Sequence, residues 1–594
     1  MPQDPSIELD IHDLDHLGII AGIVDEIGIV EIVNGLLGTH PQEKVSAGHV
    51  VKALILNCLG FLSAPLYLFS QFFEGKATEH LIGPGVKPEH LNDSRIGRVL
   101  DQLHKVGLTH VFVAIAVAAV VKFGVDISRA HLDGSSMFVH GQYLKDEPPS
   151  PSDGTASDVP PVSAANCASS RASEDTSAEP VPIQITHGYS RDHRRDLKQF
   201  TLQLISCGDG DVPLFFKVGN GNDADKAVFT EVIGEFQQQW RAAAPEVFAM
   251  DSAFYCQENL KALERSATAW ITRVPATIAE VPHLLQTLPS EVFTDSSISG
   301  YRIAEVGSLY AGIPQRWLVV ESDARRRADL KQLDKRITKA QTHKTKDLKA
   351  LTGRPFACEA DALAALEQFA KGLKYHTLSD PQVLAKPYYD TPGRPPKGAI
   401  PKGYTYHPTS TLGPDEQALE RQRTQAGRFV LATNLLLLDD EQQNKEAQVG
   451  QQHDIDALPS QPCSNDMILS VYKAQQACER GFRFLKDPIF FASRLFVEKA
   501  QRVAALAMIM GLCLLVYSLG QRQLRKALEK ANETIPNQKG KPTAKPTLRW
   551  VMQCFQSVHL VWLNGQKWAI KLTKTQEHIL RFLGAACRKY YFLC

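Results

Sequence analysis

The sequence predicts a mixed α/β protein: a layer of strands and helices, interrupted by an insertion and preceded by a helical segment. Three observations carry that expectation. Residues 127–275 read in the order three strands, helix, strand, helix, strand, with acidic residues where strands end. Residues 1–126 carry apolar side chains at helical spacing. The pattern of the layer breaks after 275 and a strong helix signal resumes at Asp466. A chain of 594 residues is too long for one core, so three or four structural units are expected.

In the first segment, His40–Phe61 has helical spacing, and Ser94–Val121 reads as a helix, a break at Gly107 and an apolar helix. No strand-like alternation stands out there. The run AHLDGSSMFVHGQY then changes character: an apolar approach to Asp133, small polar residues, and alternation again, which predicts strand, turn, strand. A stretch of about 146–184 is rich in Ser, Ala, Pro and Asp with almost no large apolar residues. It cannot bury enough surface to fold, so a disordered loop is expected. Strands follow at Gln199–Ile205 and Val212–Val218, a helix at Ala224–Trp240, a short strand Val247–Met250 leading into Asp251, a helix at Cys256–Ser266 and a strand at Ala269–Val274.

From 276 to 464 lie strand-like runs at Arg316–Glu321 and Arg428–Leu438, a basic helical stretch at Arg325–Leu351 and a Pro/Gly-rich loop at Pro387–Tyr404. This predicts an inserted domain. Residues 465–520 then supply the helix Asp466–Arg483 and an apolar helix, and 521–594 form a C-terminal region of weaker, mixed signals. The apolar run Val503–Gly520 is long enough to test as a membrane span, but it continues a helix that begins with charged turns, so a buried core helix and no membrane partner are expected.

Lys+Arg and Asp+Glu both number 65, giving a formal net charge of zero. A nucleic-acid partner then requires clustered basic residues. Two clusters exist: Ser322–Ala350 has ten Lys/Arg against four Asp/Glu, and Gln521–Trp550 eight against two. Each is also what a solvated helix face looks like. The eleven cysteines form no CxxC pair and several lie in apolar runs, which fits free thiols in a reducing cytoplasm. The N-terminal MPQDPSIELD lacks a cationic start followed by an apolar run, so no signal peptide is expected.

The residues that carry chemistry are acids. Asp133 and Asp251 each follow a short apolar strand and precede small residues, GSS and SA. Alone, such an acid is commonly a turn or a helix cap. A third acid, Glu479, comes with neighbours at helical spacing: Tyr472 and Gln475 before it, Arg483 and Lys486 after it, all on one stripe. A carboxylate for metal beside cations for phosphate suits cutting of a phosphodiester. The plainer account is a solvent-facing helix with a Glu479–Arg483 pair. His140 and His193 are more simply hydrogen-bonded or exposed than ligating. Asp223 and Asp225 look like the start of a helix. The basic HGYSRDHRRDLK at His187–Lys198 is a surface loop or lies near DNA.

With Tyr472, Gln475, Glu479 and Lys486 at that spacing, and with ERGFRFLKDP, HLDGSSMFVHGQY, HGYSRDHRRDLKQ, GNDADK and MDSAFYCQENL in order, the chain resembles the DDE transposases of bacterial insertion sequences. The branch is the one with a large insert before the final Glu. The resemblance runs nearly the whole chain. It implies a ribonuclease-H-like core, with Asp133, Asp251 and Glu479 as ligands of two Mg²⁺ ions for which Mn²⁺ substitutes. It implies Tyr472 and Lys486 as contacts to the transposon end. It implies cleavage at the ends of the element and attack of the freed 3′-hydroxyl on target DNA, by a homodimer on double-stranded DNA in the bacterial cytoplasm. A catalytically inactive DNA-binding relative and a nuclease that cuts without joining are the rival readings. The helical N-terminus and the inserted domain are the candidates for reading the ends. Two departures stand out. Gln475 occupies a place where the wider signature has Arg, with Arg483 on the same stripe as a substitute. Gly134 occupies a place where a hydroxyl residue is usual, though Ser135 and Ser136 remain.

Overall fold

The computed structural model describes residues 9–61, 68–141, 143, 180–189, 194–223, 225–240, 245–390, 397–436, 463–487, 499–563, 566–569 and 572–592. Apart from 180–184, the loop expected at 146–184 lies outside them. The chain divides into two compact units, one built mainly from Met1–Ile271 and Val471–Cys594, the other mainly from Thr272–Gln452.

In the first unit, β1 (Leu9–Asp13) pairs antiparallel with His559–Leu563 at the far end of the chain. The sequence analysis saw no strand in this region, because a five-residue alternation is weak and its partner is remote. The central layer comprises β2 (Arg129–Val139), β3 (Lys198–Cys207), β4 (Pro213–Gly219), β5 (Val247–Met250) and β6 (Trp270–Arg273), in the order β4-β3-β2-β5-β6. β2–β3 and β3–β4 are antiparallel and β2–β5 is parallel. The first strand in sequence is therefore central, with a meander on one side and a parallel neighbour on the other, the ribonuclease-H-like arrangement. Helices Asp225–Trp240 and Gln257–Arg265 follow β4 and β5. Phe236 of the first packs on Phe215 and Phe248 of the sheet.

The turn expected within AHLDGSSMFVHGQY is absent. β2 runs through it unbroken, paired with β3 from Ala130↔Cys207 to Val139↔Lys198. The ladder, with its full set of backbone hydrogen bonds, overrides the local turn preference of Gly and Ser.

The centre of this unit is the helix Ala500–Ala531. It is long and apolar enough to cross a membrane, yet 94% of its apolar window is buried inside the protein. It packs against helices Ala47–Leu59, Asp93–Val106 and Leu108–Phe123 and against β4. Gly511 permits close approach, since a Cβ there would stand 3.0 Å from the Phe216 ring and 3.2 Å from that of Phe112. Fully buried side chains such as Leu512, Leu515 and Val516 contribute about 1.5–3 kcal/mol each. The residues expected to form a helical domain of their own, 1–126, thus lie in the same unit as the central layer. Their two helices meet at Gly107, whose φ of 99° accommodates an 88° bend. Lys52, buried, ties this region to the C-terminus through Asp25 at 2.5 Å and the Tyr590 hydroxyl at 2.8 Å. The nine described cysteines are free thiols.

The second unit contains β7 (Thr294–Asp295), β8 (Tyr301–Tyr310), β9 (Ile313–Ser322), β10 (His376–Tyr388), β11 (Gly403–Pro414) and β12 (Arg428–Thr433). β12-β9-β8-β7 are consecutive neighbours, and β10 and β11 form a separate hairpin. The 31-residue helix Asp323–Gly353, opened by the Ser322 cap, carries the first basic cluster. Leu333 on that helix packs with Tyr375 and Leu419.

Candidate active site

Two of the three acids are brought together by strand register. The last parallel pair between β2 and β5 is Leu132↔Met250, so the next residues, Asp133 and Asp251, stand side by side where β5 ends. Adjacent strands lie about 4.8 Å apart. The ends of parallel strands are where open α/β sheets place their ligands. Asp133 is buried, and its carboxylate accepts from the Gly134 N–H at 2.8 Å. Asp251 leaves the sheet in extended conformation and caps the turn Ser252–Phe254. Its carboxylate accepts from the Ser252 N–H at 2.5 Å and the Ser252 hydroxyl at 3.2 Å.

Glu479 sits on the short helix Gln476–Leu485. The single helix expected over Asp466–Arg483 is in fact two, Asn465–Ala474 and Gln476–Leu485, with the break at Gln475. Tight bonds mark the junction: the Gln475 N–H donates to the Tyr472 carbonyl and the Cys478 N–H to the Gln475 carbonyl, both at 3.1 Å. The second helix lies on β2 and β3 through Cys478 and Gly481. The Cys478 thiol donates to the His131 carbonyl at 3.1 Å. Gly481 lets the helix close on the sheet, since a Cβ there would be 3.0 Å from Leu204 and 3.1 Å from Leu514. Leu204 is the direct cross-strand partner of Asp133, so Asp133 and the Glu479 helix share one face of the sheet. Burial, and after it the Asp133 carboxylate, push the Cys478 thiol well above its ordinary pKa, so it is inert.

Glu479 is exposed and makes no hydrogen bond or ion pair with the described residues; neither does Arg483, so the Glu479–Arg483 pair is not formed. Tyr472, Gln475 and Lys486 on the same stripe are half-buried. The three acids are all-oxygen, anionic donors, which suits a hard divalent cation. By donor chemistry and by the placement of the aspartate pair they fit such an ion. Among the described residues, however, no three His, Cys, Asp or Glu side chains converge into a ready-made metal site. The structure juxtaposes Asp133 and Asp251 and puts Glu479 on a helix over the same face, at its rim.

The remaining candidates fall away. Asp223 accepts from Asn220 N–H at 2.7 Å and closes its own turn. His140 is exposed and meets Phe138 edge-on. His193 lies outside the described residues. His131, two residues before Asp133, is fully buried with neither ring nitrogen hydrogen-bonded. Burial, with Arg480 and Arg129 nearby, lowers its pKa to about 4, so the ring is neutral.

The structure also explains Gly134. Its cross-strand partner is Gln203, and a Cβ at 134 would stand 2.5 Å from the Gln203 amide oxygen. Sequence reasoning missed Gln203. It also missed the gathering of Arg480, Arg522, Arg525 and Arg549 beside the Glu479 helix. Arg522, Arg525 and Arg549 belong to the basic cluster Gln521–Trp550, but Arg480 is too far from it in sequence for any spacing rule to unite them.

Residues 153–516 match the family described as "Transposase DDE domain". That span contains Asp251 and Glu479 and begins after Asp133. Residues 9–117 match a "Domain of unknown function (DUF4277)". No curated protein matches the chain. A solved piggyBac transposase synaptic complex with hairpin DNA aligns over 98% of this chain and 83% of that one, at 7% identity and a TM-score of 0.33, a likeness too remote to bear on residue roles.

Proposed function

The chain belongs to the DDE transposase family, and from that premise we propose that it cuts DNA at the ends of a mobile element and joins the freed 3′-hydroxyl to target DNA. Asp133, Asp251 and Glu479 would hold two Mg²⁺ ions, with Mn²⁺ able to replace them. The observation that supports this reading is the register Leu132↔Met250, which makes the two aspartates neighbours, with the helix bearing the third acid packed on the sheet face of Asp133. Bound divalent ions would supply a nucleophile at neutral pH and stabilise the leaving oxygen.

The chain's own residues supply the frame. β2 and β5 fix the aspartates before DNA arrives. Cys478 and Gly481 seat the helix that bears Glu479 on the sheet face of Asp133, and the Glu479 carboxylate has no partner among the described residues. Tyr472, Gln475, Arg483 and Lys486 extend along the same stripe and would contact the DNA end. Both steps are in-line phosphoryl transfers, so Tyr472 serves as a contact and not as a nucleophile. Two ends must be joined, which calls for a homodimer on DNA. The cellular setting we propose is the bacterial cytoplasm.

The test is a labelled duplex carrying the repeats that flank the gene, incubated with Mg²⁺ or EDTA. Metal-dependent cleavage at the repeat boundary with joined products, lost in Glu479→Gln, is the expected result. Cleavage without joining would make the chain a nuclease of this fold. Binding without cleavage in any divalent metal would make it an inactive DNA-binding relative.

A further inference from the structure

Beside the Glu479 helix lies a cavity of about 500 Å³, enclosed by Gly210 and Asp211 of the β3–β4 turn, the helix Ala500–Ala531 and the start of helix Leu548–Cys554. Five arginines line it, at 480, 483, 522, 525 and 549, against two carboxylates, Asp211 and Asp487. A chain of zero net charge has concentrated guanidinium groups at one concave site.

Their pairing is informative. Arg480 donates twice to Asp211, at 2.8 Å each. Arg549 donates to Asp487 at 2.9 Å. Arg522, buried, is held by Asp209 at 2.5 Å and by the carbonyls of Phe123 and Gly124. These acids fix the guanidinium planes while leaving N–H donors unspent, since each Arg has five. Arg525 is different. It is half-buried and donates to the Pro546 carbonyl at 2.8 Å, with Asp211 acting on it through space and no carboxylate among the described residues hydrogen-bonded to it. Burial lowers its pKa. A partly desolvated cation with no carboxylate in contact is costly unless an anion arrives. Arg483 also lacks a partner among the described residues.

At 100° per residue, Arg483 projects 40° from Glu479 around the helix and Arg480 a further 60°. The cavity thus opens on the flank adjoining the Glu479 stripe, with Arg483 between. We propose that this arginine-lined cavity binds phosphate groups of the DNA strand that flanks the reacting bond, a proposal that rests on the DNA-cutting role argued above. Planar guanidinium forks held in place suit phosphate oxygens better than mobile lysines would.

The test uses the full-length chain, the repeat-bearing duplex and a salt series, with Arg525→Gln and Arg480→Gln made singly and together. Each lost phosphate contact should make the log–log salt dependence shallower by about 0.9. It should also weaken binding by about tenfold to a hundredfold. Melting temperatures should stay near the parent's; should Arg525→Gln unfold, the exposed Arg480→Gln carries the test alone. A wild-type chain that cuts DNA while folded variants keep the parental slope and affinity overturns the cavity proposal and leaves the functional reading intact. A wild-type chain that neither binds nor cuts the duplex overturns both. Inorganic pyrophosphate serves as a second probe: if it raises the parent's melting temperature but not the variants', while the DNA slope is unchanged, the cavity serves free anions and the proposal fails.

Discussion

Asp133 stands on β2, which is hydrogen-bonded to a neighbour on each side, and Asp251 directly follows the last residue of β5, whereas Glu479 stands on a ten-residue helix that starts at a break. The backbone ladder fixes Asp133 directly and Asp251 through Met250, the paired residue just before it. The third is placed through side chains: the Cys478 thiol bond, the close approach at Gly481 and the Arg480–Asp211 pair. Asp133 is buried and already accepts a backbone hydrogen bond; Glu479 is exposed and accepts none among the described residues. The difference teaches that two-thirds of such a site can be rigid before substrate binds while the last ligand stays adjustable, which is where preorganisation and control separate.

The largest expected effects test whether the three acids belong together at all. Asp133→Asn, Asp251→Asn and Glu479→Gln should each lower cleavage by at least about 10³-fold, with end binding retained. Loss of end binding in all three would break the assignment. Size-changing swaps sharpen the comparison. Asp133→Glu pushes an extra methylene into a buried place on a fixed strand and should be as inactive as Asp133→Asn. Glu479→Asp, on an exposed helix, should keep measurable activity. Equal loss in the two, measured as single-turnover cleavage rates, would mean that the helix is held as firmly as the sheet.

A smaller effect probes the rigid side. Gly134→Ser restores the residue type usual after the first Asp, yet its Cβ would meet the Gln203 amide at 2.5 Å. Overpacking of this kind costs about 1–3 kcal/mol. The melting temperature should fall by several degrees. Gln203→Ala should rescue it, because the Gln203 amide is buried with no hydrogen-bond partner among the described residues and loses nothing by removal. A Gly134→Ser protein as stable as the parent would show that the Gln203 amide swings aside at little cost.

Much of this rigid side was legible in the sequence, and the reason is local. Val247–Met250 is a short apolar run ending at an acid, and the strand has those same bounds. The unbroken β2 was not legible, because GSS has turn propensity and only its pairing with β3 forbids a turn. Glu479 and its stripe were visible as a helical period, but the break at Gln475 was not, since nothing in YKAQQACER departs from helix composition. The arginine cavity draws on 480–483, 522–525 and 549, three segments whose meeting is a property of packing around the Ala500–Ala531 helix.

The smallest effect concerns Gln475, where the wider family signature has Arg. Gln475 lies at the junction of the two helices, half-buried, on the stripe of Tyr472 and Glu479. Gln475→Arg should add one phosphate contact, steepening the salt dependence of end binding by about 0.9. At a half-exposed rim screened by salt, the gain in affinity should be only about threefold to tenfold. Cleavage of saturated ends should hardly change, because the residue would hold DNA and not the reacting atoms. The opposite outcome is instructive: unchanged affinity with slower cleavage would mean that the new guanidinium, four residues before Glu479, has paired with that carboxylate. Glu479 would then be adjustable enough to be captured by a neighbour. An amide at this position would be the residue that keeps the exposed third acid uncommitted, while the buried Asp133 needs no such protection.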